Sequence, residues 1–231
     1  MAAVPVLRGG DVILTGHDPR EAAAHAAGED EETARRFGWW PRVSTEQTVL
    51  AAYEMWAAQW RDDGPRRTFA TRDATTGDLV GGCELRIGRE AAGEVSYWTH
   101  ADKRGRGYAK QSLALLCDYA ASIGVTWLEA HVAVDNHASR HVAESAGFIE
   151  SGTFTEEAEQ RIRYARHAGG GTSLGPQMHK FRDDMSEFVN ARKALRSPRS
   201  ARSAFERRIT ARNAQRVIRG RAVGACGRNT T

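Results

Sequence analysis

The chain of 231 residues has an ordinary globular composition, with 27% charged residues and a formal net charge of +4 at pH 7. It contains no apolar run near the roughly 20 residues of a membrane-spanning helix, and its first ten residues lack the pattern of a secretory signal. The three cysteines, Cys83, Cys117 and Cys226, are widely spaced, so we expect no disulfide framework, no metal site, no membrane contact and a cytoplasmic setting.

The first sixty residues predict one strand and two helices. We expect a strand near 12–15 and a helix over 17–27, with Asp18 as the N-cap and a proline in the first helical position. The segment 44–47 reads Ser-Thr-Glu-Gln, which has the spacing of a capping box with Ser44 as the cap. The helix that follows has an apolar stripe of Val49, Tyr53, Trp56 and Trp60.

Strands and helices then follow in a mixed order. Strands are predicted over 67–73, 79–87, 93–100, 125–134, 148–155 and 161–167. Helices are predicted over 108–122, ending at Gly124, and over 135–147, capped by Asp135 or Asn136 and ending at Gly147. This order fits neither a uniform β–α alternation nor an all-β pattern, so we predict one α/β domain over residues 1–167.

The end of the chain differs in composition. The glycine-rich segment 168–176 predicts a linker, and residues 190–231 contain twelve Lys and Arg residues against one acid, Glu206. Their net charge of +11 leaves −7 for the rest of the chain, so we predict a linker and a basic, helical extension over 168–231. The extension could be solvated, could dock onto the acidic domain, or could bind nucleic acid such as ribosomal RNA.

The segment 100–116, HADKRGRGYAKQSLALL, places two glycines and four basic side chains directly before a predicted helix. Unpaired amides at a helix start, together with the helix dipole, bind anions, and glycine lets the backbone approach a phosphate closely. The spacing does not match a nucleotide-binding P-loop, and Lys110 stands where a dinucleotide fingerprint needs glycine. The segment therefore favours a pyrophosphate site, although a basic surface turn is the alternative.

The residues 104–109, Arg-Gly-Arg-Gly-Tyr-Ala, resemble R/Q-x-x-G-x-G/A, the acyl-CoA pyrophosphate motif of the GNAT superfamily of N-acyltransferases. Residues 134–152, VDNHASRHVAESAGFIESG, resemble the second signature of the branch that acetylates the N-terminal alanine of ribosomal proteins. The segment 95–100, VSYWTH, resembles the fourth strand of that branch. The resemblance covers residues 5–167, except that LTGHDP replaces the usual LRPL-like start.

The resemblance implies an α/β GNAT fold with a mixed, mostly antiparallel sheet that is splayed between strands four and five. It implies acetyl-CoA as co-substrate, with the pantetheine held by backbone groups near Trp98, Thr99 and His100 and by Asn136. It assigns the pyrophosphate to the amides of Arg104, Gly105, Arg106, Gly107, Tyr108, Ala109 and Lys110. Ser139 would protonate the departing thiolate; in the alternative interpretation Asn136 is only an N-cap and Ser139 only a helix-start residue.

The general base is less determined by the resemblance. Glu94 is the first candidate because strand alternation places it on one face with Ser96, Trp98 and His100. Further candidates are Glu84, Glu129 and His131, the last two sharing one face of their strand. Trp39 and Trp40 are candidates for contacting the acceptor, whereas Trp56 and Trp60 are expected in the core.

We therefore expect an acetyl-CoA-dependent N-acetyltransferase without a metal that acts on a primary amine, either a protein N-terminus or a small molecule. The protein would be a monomer or a homodimer. A non-catalytic acyl-CoA sensor, or an RNA-associated module that uses the basic extension, is the alternative from a different functional class.

Overall fold

The computed structural model of the chain describes residues 3–156 and 158–169. The strands in this part are β1 (Leu7–Gly9), β2 (Val12–Thr15), β3 (Arg66–Asp73), β4 (Leu79–Ile87), β5 (Ala92–Thr99), β6 (Trp127–Ala133), β7 (Ile149–Glu156) and β8 (Glu159–His167). The helices are α1 (Ala22–Gly28), α2 (Glu31–Arg36), α3 (Glu46–Arg61), α4 (Tyr108–Ser122) and α5 (His137–Ser145), with 3-10 turns at Pro19–Glu21 and Ala101–Lys103.

Within these residues the strands form one sheet in the order β1-β2-β3-β4-β5-β6-β8-β7. Every neighbouring pair is antiparallel except β5 and β6, which are parallel. The mixed, mostly antiparallel sheet expected from the sequence is confirmed. Leu7–Gly9 form an additional first strand, so the predicted strands four and five are β5 and β6 in the structure.

The sheet opens between β5 and β6. These strands pair only at their starts, where Ala92, Gly93 and Glu94 lie opposite Trp127, Leu128 and Glu129. Beyond this point β5 pairs only with β4, as far as Thr99, and β6 pairs only with β8, as far as Ala133. The predicted splay is therefore present, and one edge of β5 and one edge of β6 border it.

The core lies between the sheet and α4. The predicted apolar stripe of α4 is buried at Leu113, Leu116 and Ala120, all with 0% exposure, whereas Ile123 at its end is exposed. Gly124 follows with φ of 84°, the left-handed conformation that ends a helix. Other fully buried apolar side chains on the sheet are Leu14, Phe69, Leu85 and Leu128.

The helix ends predicted from the sequence are mostly correct. Asp18 is the predicted N-cap and accepts a hydrogen bond from the Arg20 amide at 2.9 Å. The capping box of α3, however, was placed one residue too early. Thr45, not Ser44, is the cap: its hydroxyl accepts from the Thr48 amide at 3.2 Å, and the Thr48 hydroxyl accepts from the Thr45 amide at 2.9 Å. The Ser44 hydroxyl instead donates to Glu29, which removes it from the cap.

Two further expectations concern the cysteines and the end of the chain. Cys83 and Cys117 are buried free thiols, and Cys226 lies outside the described residues. The predicted linker and basic, helical extension over 168–231 also lie outside them except for residues 168 and 169 of the linker, so the division at residue 167 stays a prediction.

Candidate active site

The turn before α4 leaves a row of backbone amides open. Gly105 and Gly107 have φ of 77° and 82°, and Gly107 is the N-cap of α4 without a capping side chain. No backbone N–H from Arg104 to Lys110 has a hydrogen-bond partner among the described residues, and the Gln111 amide is the first to pair, with Gly107 at 3.1 Å. An open helix start of this kind, with glycine where φ is positive, binds phosphate groups.

Two of the basic side chains of this turn are paired with carboxylates. Arg104 forms a bidentate ion pair with Asp30, with both nitrogen–oxygen distances at 2.7 Å. Lys103 lies 3.1 Å from Asp102. Arg106 and Lys110 are exposed and form no ion pair with a described residue. The charge available to an anion here therefore comes from Arg106 and Lys110, together with the helix dipole.

Tyr108 anchors the start of α4 to the sheet. Its side chain is buried beside Val12 and Val80, and its hydroxyl donates to the Asp73 carboxylate. This hydrogen bond is the main reason that the pKa of Asp73 lies below its ordinary value. The Tyr108 side chain thus fixes where the open amides lie, and only its backbone is available to a ligand.

The open edge of β5 presents the backbone of alternate residues. The His100 amide donates to the Val80 carbonyl at 2.9 Å, so alternation along the antiparallel pair turns the Trp98 backbone toward β4 as well. The backbone groups of Val95, Tyr97 and Thr99 therefore point toward the splay. Of the expected pantetheine contacts, the Thr99 amide is free for this role, whereas the His100 amide is already paired within the sheet.

The side chains of Trp98 and His100 share a face, as predicted. Their rings stack with centroids 5.3 Å apart. The Trp98 ring also lies 4.5 Å from that of His25 of α1, and the His100 ring lies so close to Gly28 that a Cβ there would be 2.3 Å from Nε2. His100 Nε2 is buried without a partner among the described residues, and burial lowers the pKa of His100.

Ser139 lies on the opposite side of β5 and contacts a residue that the sequence analysis did not single out. The Tyr97 hydroxyl lies 2.9 Å from both Ser139 Oγ and the Ser139 carbonyl oxygen. Burial raises the pKa of Tyr97 to about 12, so its phenol stays protonated at neutral pH. Alternation along β5 was the available signal, because it places Tyr97 and Trp98 on opposite faces.

Asn136 is the N-cap of α5. The alternative interpretation, in which its side chain caps the helix, is therefore correct for Oδ1. This oxygen accepts from the Ser139 amide at 3.0 Å. The side-chain Nδ2 has no hydrogen-bond partner among the described residues. A role of Asn136 in holding the pantetheine stays a prediction, and Nδ2 is the atom available for it.

The four candidates for a general base lie in one connected cluster where β5 and β6 separate. His131 Nε2 lies 3.2 Å from Glu129 Oε2, and His131 Nδ1 lies 3.8 Å from Glu94 Oε1. Arg86 lies 3.7 Å from Glu94 and 3.2 Å from Glu84. The side chain of Glu94 is 36% exposed, against 4% for Glu129, so Glu94 is the most accessible carboxylate bordering the imidazole.

A second buried cluster, between α1 and α3, was not predicted. His25 Nδ1 lies 2.9 Å from the Tyr53 hydroxyl, and His25 Nε2 lies 3.2 Å from Glu29. The His17 ring packs against Tyr53 and Trp56 with centroids 4.7 and 4.6 Å away. Trp56 therefore belongs to this cluster, whereas Trp60 lies in the main core as expected.

Trp39 and Trp40, the predicted acceptor contacts, directly follow α2. The Trp39 ring stacks on Phe37 at 5.1 Å, and its Nε1 is buried without a partner among the described residues. Trp40 is 38% exposed, and the Arg35 guanidinium lies 4.7 Å above its ring. Their role toward an acceptor stays a prediction.

A known protein family matches the part of the chain that contains this site. A family model described as acetyltransferase (GNAT) domain matches residues 11–149. The chain belongs to the GNAT acetyltransferase family. The matched region contains the open amides, the splay, Asn136 and Ser139.

Individual relatives match this GNAT protein either over a short segment or at low sequence identity. It is 46% identical over 48 residues to the uncharacterized N-acetyltransferase YycN of Bacillus subtilis (strain 168), a match that covers 21% of this chain and 31% of that protein. The chain thus spans about a third of the length of that curated relative.

Among solved structures, RimL, a ribosomal L7/L12 α-N-protein acetyltransferase in complex with coenzyme A, matches with a TM-score of 0.62 and 18% identity. The alignment covers 71% of this chain and 98% of that one. Spermidine N-acetyltransferase from Vibrio cholerae, in complex with CoA and spermine, matches with a TM-score of 0.59 and 20% identity over 69% and 97% of the chains. At these identities the two matches show that this chain shares the fold of both proteins.

Two kinds of feature, a membrane-spanning helix and a metal-binding cluster, are absent from the described residues. None of the helices there combines the length and the apolar composition needed to cross a bilayer. No three His, Cys, Asp or Glu side chains there form a group that could hold a metal ion.

Proposed function

We propose that this protein transfers the acetyl group of acetyl-CoA to a primary amine, by direct attack of the amine on the thioester. One observation carries the proposal: the unpaired amides from Arg104 to Lys110 directly follow β5, whose edge is open toward β6. Coenzyme A has the two complementary groups, a diphosphate for a helix N-terminus and an extended, amide-containing arm for a strand edge.

The open edge of β5 also supplies what the thioester carbonyl needs. Acyl transfer develops negative charge on the carbonyl oxygen, and a preorganised N–H donor stabilises it, typically by a factor of about 10²–10³ in rate. The amides of Tyr97 and Thr99 point into the splay and are not paired with β6. We assign this role to one of these two amides, with the other available to the pantetheine.

The amine must lose a proton before it attacks. Glu94 remains our first candidate for the base, and His131 is its partner. In the tautomer that carries its proton on Nε2, His131 donates to Glu129 Oε2 at 3.2 Å, and its Nδ1 lone pair lies on the side of Glu94. The pair can accept the proton directly or through one water. The carboxylates of Glu94 and Glu129 also favour a cationic amine close to this point.

The thiolate of coenzyme A must gain a proton as it departs. Ser139 is the proposed donor, and Tyr97 is the residue that holds its hydroxyl in place through the 2.9 Å hydrogen bond. Ser139 and Glu94 lie on opposite faces of β5. This separation supports a route in which coenzyme A and the amine approach the splay from different sides.

A protein N-terminus is our first choice of acceptor, because residues 134–152 resemble the ribosomal-protein branch, and a small-molecule amine is the second. Thiol release from acetyl-CoA should be measured with peptides that begin with alanine or serine and with spermidine. Calorimetry with acetyl-CoA should accompany it. Turnover with one amine class supports the proposal, binding without any turnover favours a sensor, and absence of binding overturns both.

A further inference from the structure

Helix α2 is attached at both ends to the loops that follow the separating strands. Arg104, after β5, donates from Nη1 and Nη2 to the two Asp30 carboxylate oxygens at 2.7 Å, and Nη2 also donates to Thr33 Oγ1 at 2.9 Å. Asp30 is the N-cap of α2. At the other end, Arg36 Nη1 donates to Asp135 Oδ1, after β6, at 2.6 Å.

The dimensions of α2 suit a bridge over the opening. Six helical residues rise about 9 Å, whereas paired strands lie about 4.8 Å apart. The helix therefore spans roughly twice the spacing of a closed sheet, between the loop with the open amides and the loop with Asn136. Bidentate Arg–carboxylate pairs such as Arg104–Asp30 restrict geometry more than single contacts do.

The same helix determines where the two tryptophans lie. The amides of Trp39 and Trp40 both donate to the Ala34 carbonyl, at 3.0 and 3.2 Å. The Arg35 guanidinium lies over the Trp40 ring. A displacement of α2 would therefore displace the Trp39–Trp40 segment with it.

We propose that the Arg104 side chain is a positioning group that holds α2 and the Trp39–Trp40 segment over the opening between β5 and β6, and that its guanidinium is not a ligand of the cofactor diphosphate. The identification of the ligands as acetyl-CoA and an amine rests on the proposed function. The hydrogen bonds of Arg104 also hold the pKa of Asp30 well below its usual range, so the pair stays charged near neutral pH. The diphosphate is left to the main-chain amides and to the side chains of Arg106 and Lys110.

Variants of the full chain test this division of roles, with Arg106→Gln as the matched control in the same turn. Arg104→Gln and Asp30→Asn should each leave the Kd for acetyl-CoA within about twofold, because neither removes a phosphate ligand. Both should raise hydrogen exchange over residues 30–42 by about tenfold, since a charged pair that restrains α2 is lost. Arg106→Gln should weaken acetyl-CoA binding several-fold and leave exchange over 30–42 unchanged.

Two more variants keep the test decisive if a single substitution disturbs folding. The double variant Arg104→Gln with Asp30→Asn should exchange no faster than either single variant, because the same pair is removed once. Arg104→Lys keeps the charge and loses the bidentate geometry, so its exchange over 30–42 should be intermediate.

The proposal is overturned if Arg104→Gln weakens acetyl-CoA binding tenfold while Asp30→Asn does not, or if neither variant changes exchange over 30–42. The exchange measurement needs neither cofactor nor turnover. Failure of the wild-type protein to bind acetyl-CoA would thus refute the proposed function. The exchange measurement would still decide whether the Arg104–Asp30 pair restrains α2. With an amine identified by turnover, Arg104→Gln should raise the KM for the amine and not that for acetyl-CoA.

Discussion

Glu94 and Glu129 lie opposite each other at the last position where β5 and β6 pair, and His131 lies within 3.8 and 3.2 Å of their side chains. Two carboxylates on one face repel each other, and Arg86 beside Glu94 and Arg163 beside Glu129 balance their charge. The cluster therefore combines an exposed carboxylate, a histidine and a buried carboxylate at the point where the sheet opens.

Removal of the proposed base should reduce turnover without affecting acetyl-CoA. Glu94→Gln and His131→Gln should each lower kcat/KM for the amine by about 10²-fold, the usual size of a general-base contribution. The Kd for acetyl-CoA, measured by calorimetry, should stay within about twofold. Glu84→Gln is the control, because Glu84 belongs to the same cluster but is paired with Arg66 of β3 and Arg86 of β4. An equal loss in that control would mean that the charge of the cluster matters and not a particular base.

A side chain at the N-cap of α4 should weaken cofactor binding. Gly107 has φ of 82°, so Gly107→Ala adds backbone strain of about 1 kcal/mol and places a methyl group beside the open amides. We expect a Kd for acetyl-CoA at least tenfold higher. Gly124→Ala is a closely matched control, since Gly124 has φ of 84° at the other end of the same helix and open space around its Cβ. It should lose the same stability in thermal unfolding and bind acetyl-CoA normally; equal Kd values for the two variants would contradict the proposed diphosphate site.

The sequence was sufficient for the main features of the fold because local patterns determine them. Alternation along β5, the apolar stripe of α4 and the glycine at 124 all act within one element, and the motif at 104–109 marks a local turn. The cap at Ser44 was wrong although Ser44 and Gln47 fit the capping-box pattern, because the structure uses the neighbouring hydroxyl of Thr45 with Thr48 instead. Only the contact of Ser44 with Glu29, 15 residues away, decides between them.

The long-range contacts of the site could not be predicted in this way. The pair Arg104–Asp30 joins residues 74 positions apart, and Tyr97–Ser139 joins residues 42 positions apart. The sequence places Arg104 among the basic side chains of the predicted pyrophosphate site, but the structure gives its guanidinium a carboxylate partner. The histidines at 17 and 25 follow no periodic pattern, so their packing against Tyr53 depends on how α1 meets α3.

The hydrogen bond between Tyr97 and Ser139 should matter for the departure of the thiolate. Ser139→Ala should lower kcat by about 10²-fold at most, as expected for loss of one general acid. Tyr97→Phe, which keeps the ring and removes the hydroxyl, should produce a smaller decrease because Ser139 remains. Ser145→Ala, in the same helix, should leave kcat unchanged. Rates should be taken at saturating acetyl-CoA, and an unaffected kcat in Ser139→Ala would remove Ser139 from the mechanism.

His17 should make the fold less stable in mild acid. Both of its ring nitrogens are buried without partners among the described residues, and burial lowers its pKa from 6.5 to about 3. Between these two values the unfolded chain binds the proton and the folded chain does not, so the free energy of unfolding falls as the pH decreases below 6.5. The titration of one group changes the free energy of unfolding by at most about 1.4 kcal/mol per pH unit.

Substitution of His17 by phenylalanine isolates this effect. Phenylalanine keeps an aromatic ring between Tyr53 and Trp56 and cannot be protonated, so His17→Phe should unfold at a higher urea concentration than the wild type at pH 5 and show a smaller difference at pH 7.5. Part of the pH dependence should persist, because burial also lowers the pKa of His100. His141→Gln, an exposed change on α5, is the control. Parallel curves of stability against pH for the wild type and His17→Phe would show that the buried ring of His17 does not stay neutral in the folded protein.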